Sequence, residues 1–369
     1  MAKVSRRSRG GATIEDVARA AGVSAMTVSR VINGKRNVRE STRSLVLQAI
    51  DTLKYSPNAA ARMLAAGEAM HIGLLYANPS AAYLSQFLVG ALEGARKAGA
   101  HLVLESCESE SASEQAETTR LFLKSSIDGV ILPPPLSESM AVHAEVAASG
   151  TPMVTVAMGL PHEGIRNVRI DDFAAAKEIT NYLLELGHRR IGFIRGHPNI
   201  TASSERFRGF VAALEDHGLD PSDAPVEQGY FTYRSGLIAG ERLLASETRP
   251  TAIFASNDDM AAATVNAAHR AGLDVPHDLS VVGFDDTSPA ATVWPELTTI
   301  RQPIAEMAAA AIELLMVDLR NNGEADDETN GETERVLGHQ LIVRGSSGPP
   351  LGLAGKAANP ANARASANS

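Results

Sequence analysis

"TIEDVARAAGVSAMTVSRVING", residues 13–34, decides how the N-terminal part of the chain is read. Thr13 is a helix N-cap type, and Glu15 and Asp16 follow in the first turn, where free amide N–H groups favour negative charge. Ile14, Val17, Ala18 and Ala21 recur at helical spacing and define a buried face. Gly22 permits the positive φ that ends this helix. Val23 pins the turn to a core, and Ser24 caps a second helix that buries Val28, Val31 and Ile32. A third helix is expected over 40–53, burying Leu45, Val46, Ala49, Ile50 and Leu53. A helix, a glycine turn and a short second helix with outward polar groups make the helix-turn-helix plan. Ser24, Thr27, Ser29, Arg30 and Asn33 can all hydrogen-bond outward. Ala25 and Met26 between them form no strong side-chain hydrogen bond.

Charge gives this head an anionic partner. The 369-residue chain carries a formal −9. Residues 1–66 hold 12 Lys/Arg against 4 Asp/Glu, a surplus of +8, which leaves −17 for the rest. A basic head on an acidic body points to nucleic acid first and a membrane surface second, for the head alone. Cys107 stands alone, so an intrachain disulfide and a cysteine-based zinc site are excluded. It reads as a small buried hydrophobe. The N-terminus is charged and has no apolar core of a signal peptide, and no apolar run approaches the ~20 residues of a membrane span. A cytoplasmic protein is expected, with no membrane partner.

From residue 71 the pattern changes to short apolar runs alternating with helical stretches. HIGLLY, HLVLES, DGVILPP, PMVTVA, RIGFIRG, TAIFAS and LSVVGF read as strands, and 84–98 and 173–187 as helices between them. This alternation predicts α/β doubly wound parallel sheets, with too many strands for one compact sheet. NVRIDD (167–172) reads as a seam between two lobes, and HQLIVRG (339–345) as a last strand. The expected organisation is a disordered basic arm (1–12), an all-α helix-turn-helix domain (13–55), a hinge helix or linker (56–67), a two-lobed core (70–345) and a disordered tail (346–369). The acidic stretch 321–335 is expected to be an exposed loop.

These stretches together resemble the lactose/galactose repressor family of bacterial transcription regulators. TIEDVARAAGVSAMTVSRVING, YSPNAAARMLA (55–65), GHRRIGFIRG (187–196), FASNDDMA (254–261), SVVGFDD (280–286) and LTTIRQP (297–303) carry the resemblance, in the family's order, across about 13–345. It implies a DNA-binding head, a hinge helix and an effector core like the periplasmic sugar-binding proteins. In the head it implies that Ala25, Met26 and Arg30 face bases, Arg30 being the one strong donor, able to address guanine bidentately. Ser24, Thr27, Ser29 and Asn33 would hold phosphates. It further implies that hinge helices pair in the minor groove of a pseudo-palindromic double-stranded operator. There Ala61 would allow close approach, Leu64 would wedge into the central step, and Asn58 and Arg62 would add contacts. An isolated helix that short is marginal in water and would order only with help.

In the core, ligands of such folds sit at the carboxyl ends of the strands. Asp172, Arg206, Asn257, Asp285 and Gln302 are the polar candidates for a small effector, and Tyr83, Phe87, Phe231 and Trp294 the aromatic ones. Arg206 is read at the start of a turn after GFIRG. The expected function is a repressor of carbohydrate-utilisation genes, released from its operator by a sugar-like effector and acting as a homodimer. The tail has no leucine heptad, so no tetramerisation bundle is expected. The alternatives are a corepressor-dependent regulator of the purine-repressor type and a sugar-binding module that does not touch DNA. No P-loop, G-x-S-x-G, H-E-x-x-H or C-x-x-C is present. Neither catalysis, nor a metal, nor a cofactor is expected. His188 is read as a helix cap or strand brace.

Overall fold

A computed structural model describes residues 13–32, 39–53, 70–77, 79–159, 164–320 and 333–351. The expected arm, the hinge 56–67 and most of the acidic stretch lie outside these residues. The described chain divides into a head and a larger unit that begins at Ala69.

In the head, α1 (Ile14–Ala21) starts at a reciprocal cap. The Thr13 hydroxyl accepts from the Asp16 amide and the Asp16 carboxylate accepts from the Thr13 amide at 3.0 Å. It ends at Gly22 with φ 66°, the left-handed conformation that glycine adopts without a Cβ clash. Ser24 then accepts from the Thr27 amide at 3.2 Å, at the start of α2 (Ala25–Ile32). With α3 (Glu40–Leu53), the helices bury Val17, Ala18, Val28, Val31, Val46 and Ala49, and Ile14, Ala21, Val23, Ile50 and Leu53 pack around them. Leu45 corrects the expected face: it is 54% exposed, because Val46 and Ala49, one helical step away, take the core-facing stripe.

The larger unit holds two six-stranded sheets, in orders β11-β5-β4-β3-β1-β2 and β12-β10-β9-β8-β6-β7. The first lobe takes β1 (His71–Tyr76), β2 (His101–Ser106), β3 (Gly129–Leu132), β4 (Met153–Val156), β5 (Arg166–Ile170) and β11 (Glu334–Leu337). The second takes β6 (Ile191–Arg195), β7 (Val226–Gln228), β8 (Ala252–Ala255), β9 (Ser280–Asp285), β10 (Thr298–Arg301) and β12 (Gln340–Ile342). Every pairing is parallel except β10 with β12. The near-continuous apolar runs of β3, β8 and β9 match strands covered on both faces.

In the first lobe α4 (Ala81–Ala98), α5 (Ala112–Leu123) and α6 (Met140–Ser149) connect the strands. In the second, α7 (Asp172–Glu185), α8 (Thr201–Asp216), α9 (Tyr233–Leu244), α10 (Asp258–Arg270) and the short α11 (Ser288–Thr292) do so. The long apolar α12 (Ile304–Arg320) packs on α4 and on β3 to β5, so it belongs to the first lobe. Among the described residues the chain therefore passes between lobes three times: after β5, between β10 and α12, and between β11 and β12. NVRIDD contains the first passage, with Asp171 capping α7.

Two expectations about the C-terminal part change. Glu334 and Arg335, read as loop, belong to β11, which pairs with β5. Residues 346–348, read as the start of a disordered tail, are fastened to the second lobe. Ser346 is fully buried, its hydroxyl donates to the Val281 carbonyl at 2.5 Å, and Gly348 carries its carbonyl to His188 Nε2 at 2.9 Å. Composition hid this, since the segment is stapled by backbone and small hydroxyls rather than by apolar side chains. His188 also meets Thr251 and Ser280, so it braces strands β8 and β9 from their amino ends. Cys107 is buried in the first lobe's core with Leu75, Phe122 and Leu132.

Candidate functional site

The head presents α2 outward. Met26 is 65% exposed, and Arg30, one turn on, leans over it with its guanidinium 3.6 Å from the Met26 sulfur. The two side chains thus form one exposed patch at i and i+4. Val28 and Val31 on the other face hold α2 to the core. The Ser24 and Thr27 hydroxyls lie 2.9 Å apart beside the patch. Ala25 is half-buried and packs on the head core, so it offers less of itself outward than the sequence reading implied. The Ser29 side chain and Asn33, Asn58, Ala61, Arg62 and Leu64 lie outside the described residues.

In the larger unit a cavity of about 450 Å³, its mouth included, lies between the lobes. Its walls come almost wholly from residues just past the carboxyl ends of strands. Pro79, Ser80 and Tyr83 follow β1, Pro134 follows β3, and Ala157 follows β4. Ile200, Ala202 and Arg206 follow β6, Phe231 follows β7, Asn257 follows β8, Asp285 ends β9 and Gln302 follows β10.

Arg206 organises the polar wall. It stands inside α8, not in a turn, which corrects the sequence reading. Its Nε donates to Asp172 at 2.8 Å, one terminal nitrogen donates to the Ser256 carbonyl at 2.6 Å, and the same nitrogen lies 3.6 Å from Asp285. The guanidinium also stacks 3.7 Å over the Phe284 ring. Gln302 donates to Asp285 at 2.6 Å. Behind them Asp258, fully buried, accepts from the Thr287 amide and hydroxyl and from the Thr299 hydroxyl. Two buried carboxylates, Asp172 and Asp285, thus flank one guanidinium, and a third, Asp258, lies buried close to Asp285. Burial pushes the Asp285 carboxyl up to about 7, against the opposing pull of Arg206 and Gln302. Burial, with Asp285 next, raises Asp258 well above the carboxylate range, and burial raises Asp172 too, opposed by Arg206. Asp285 and Asp286 also hold φ of 108° and 56°, conformations that non-glycine residues adopt under constraint.

Tyr83 turns its hydroxyl into this group and has no hydrogen-bond partner. Burial makes it a far weaker acid than an ordinary phenol, its pKa pushed well up. Phe87 is fully buried and stacks on Tyr83 from behind, 6.4 Å between centroids, so it supports the wall without lining it. Asp172 lines a neighbouring hollow with Arg169, Asp171, Phe173, Glu205 and Arg208 and reaches the cavity only through Arg206. Asn257 lines the cavity with both ends engaged: its oxygen caps α10 at the Met260 amide and its amide donates to the Phe231 carbonyl. It therefore fixes Phe231, whose φ is 61°. The Phe231 ring lies on Gly196, where a Cβ would come within 2.0 Å of the ring.

Trp294 is not in the cavity. It is 82% exposed on the turn before β10, at the amino end of that strand and so on the far side from the cleft. The sequence reading missed Pro79, Ser80, Pro134, Ala157, Ile200 and Ala202. Their position just past strand ends was a usable signal, but apolar residues there drew no notice. The lobes also meet directly. Ser80 donates to Asp259 at 2.6 Å, Thr201 donates to Glu138 from amide and hydroxyl at 2.8 and 2.7 Å, and the Gly159 amide donates to Thr201 at 2.8 Å.

Comparison with known proteins agrees with both parts. The family model "Bacterial regulatory proteins, lacI family" matches residues 13–58, and "Periplasmic binding protein-like domain" matches 180–347. The chain is 34% identical to catabolite control protein A of Priestia megaterium over 306 residues, covering 82% of this chain and 91% of that protein. It is 33% identical to the HTH-type transcriptional repressor PurR of Pasteurella multocida (strain Pm70), covering 85% and 93%. Among solved structures it is similar to a transcriptional regulator CelR–cellobiose complex, with 30% identity, a TM-score of 0.69, and 91% and 100% of the two chains covered. It is also similar to the lac repressor dimer bound to operator and the anti-inducer ONPF, with 26% identity, a TM-score of 0.67, and 92% and 100% covered.

Proposed function

The chain belongs to the lacI family of bacterial regulatory proteins, and from that membership we propose that it represses transcription as a homodimer on a two-fold operator, under control of a small molecule in the interlobe cleft. It is a DNA-binding transcriptional regulator. The observation that carries the reading is the exposed Met26–Arg30 patch on α2, held outward by Val28 and Val31 in the head core. Arg30 supplies bidentate donors for a guanine edge, and Met26 an apolar surface for a thymine methyl.

The cleft receives the effector. A sugar fits the polar group around Arg206 and Asp285, and the similar CelR structure holds cellobiose. The ligand would touch both lobes and so alter the equilibrium between their arrangements, which the Ser80–Asp259 and Glu138–Thr201 bonds already bias toward closure. Coupling to DNA is reciprocal: a ligand that weakens operator binding is itself bound less tightly by the operator complex. Release by the effector is the expected sign. The dimer would use apolar surface left open on the first lobe, where Val89 and Leu92 on α4 and Leu104 on the neighbouring edge strand β2 are 46–55% exposed. The working place of such a regulator is the cytoplasm, and no helix among the described residues is long and apolar enough to cross a membrane.

Selection of the full-length protein against random duplex DNA tests the reading. An enriched site with two-fold symmetry, bound with a steep salt dependence, is expected. Equal retention of all sequences, or affinity unchanged from low to high salt, would overturn it. Adding ligand to the selected site then gives the sign, and tighter binding would reverse the release assignment.

A further inference from the structure

The polar and apolar parts of the cleft wall are unequal, and the inequality constrains the effector's shape. The following rests on the reading of this cleft as the effector site. Two of its polar residues are already satisfied within the protein. Ser80 donates to Asp259 and accepts from the Tyr83 amide, and Asn257 is held by Met260 and Phe231. The groups left for a ligand are few and gathered together. They are the unpartnered Tyr83 hydroxyl, the Gln302 carbonyl oxygen, the second oxygen of Asp285 and the second terminal nitrogen of Arg206. Gln302 and Arg206 gather around Asp285, and Tyr83 lines the same cavity.

The rest of the wall is apolar from both lobes. Pro79, Pro134 and Ala157 face it from the first, and Ile200, Ala202 and Phe231 from the second. None of these side chains offers a hydrogen bond. A ring with hydroxyl groups on every edge would bury some of them against this wall without partners, which is unfavourable. A ring whose far edge ends in a methyl group would bury apolar surface there instead.

We propose that the effector is a 6-deoxyhexose, one pyranose ring with its hydroxyls toward Asp285, Arg206, Gln302 and Tyr83 and its methyl group against the Pro134, Ile200 and Ala202 side of the cleft. Four free polar groups match the four hydroxyls of such a sugar. Its apolar ring face lies on Phe231, which Asn257 and Gly196 hold in place.

Calorimetric titration of the full-length protein with matched sugar pairs tests this. The pairs are D-fucose with D-galactose, L-fucose with L-galactose, and L-rhamnose with L-mannose. Cellobiose and the free purine bases complete the panel. At least one 6-deoxy sugar should bind about tenfold or more tightly than its 6-hydroxyl parent, as one unpaired buried hydroxyl implies. Ile200→Ser should narrow that ratio by offering the parent a partner. Parents that bind as well as or better than their deoxy forms, a preference for cellobiose or a purine, or no response to any of the panel would each overturn the proposal. Two cavity-filling variants, Ile200→Trp and Ala202→Phe, separate this failure from failure of the site assignment. Both are judged folded by retained operator binding. A ligand whose binding survives both fillings lies outside the cleft, which undoes the site itself. A parent sugar that wins in the wild type and is lost in both undoes only the deoxy preference.

Discussion

Replacing Asp285 by asparagine should stabilise the free protein at pH 8 while making it nearly deaf to its effector. The carboxyl is 4% exposed and rises from 3.8 to about 7, driven by burial against the attraction of Arg206. Between those values the unfolded chain has released this proton while the folded chain keeps it. The group's contribution to stability is therefore full below about pH 4 and lost as pH rises through about 7. A shift of three units corresponds to about 4 kcal/mol, and this net already contains the help of Arg206. Asparagine keeps the shape, removes the charge and tolerates the φ of 108° better than most residues. Arg206 still has Asp172 at 2.8 Å. Urea melts of wild type and Asp285→Asn at pH 5 and pH 8 should show the smaller gap at pH 5, which lies nearer the unfolded value than the folded one. At the higher pH the variant should gain about 1 to 4 kcal/mol. The variant should also bind effector roughly 10- to 100-fold more weakly, since a hydrogen bond to a charged group contributes about 1.5–3 kcal/mol. Wild-type affinity should fall for the same reason as pH drops below 7. A variant less stable than wild type at pH 8, or a stability gap identical at both pH values, would show that the carboxylate is not held at a loss.

Three further outcomes are expected. Gly196→Ala places a Cβ within 2.0 Å of the Phe231 ring and should cut the effector's response in a gel shift at least tenfold, with operator affinity unchanged in its absence. Arg30→Ala should lose about 1–3 kcal/mol of discrimination at one base pair, and Met26→Gln should change base preference more than overall affinity, both read from selected sites. Leu92→Arg, placing a charge on the open face of α4, should shift light-scattering mass toward the monomer and weaken operator binding, and an unchanged dimer would move the interface elsewhere.

Most of the architecture was legible because it rests on periodicity and caps. The three head helices and the central strands were readable where local and tertiary preferences agree, as at Thr13, Gly22 and the runs GVIL and AIFA. β11 was missed because it borders an acidic stretch and owes its pairing to β5, far away in sequence. In the cleft, the polar cluster of Arg206, Asp285 and Gln302 could be named in advance, since charged groups at strand ends advertise themselves. What could not be read was which face each would present. Asn257 is a cap, Phe87 a support and Trp294 a surface residue, distinctions that depend on which end of a strand a loop occupies. The apolar half of the wall was silent for the opposite reason, since an isoleucine at a strand end looks like core.

The threefold passage of the chain between the lobes fixes an order of assembly during synthesis. The head's three helices, complete by Leu53, form a core of their own and leave the ribosome first. The first lobe cannot finish when its own early strands appear. It must wait for α12, which lays Leu315 over Gly129, and for β11, both made after nearly all of the second lobe. DNA recognition is thus translated early and its restraint last. A message cut short within the second lobe would specify a reader without a gate, with the faces meant for α12 bare to chaperones and proteases.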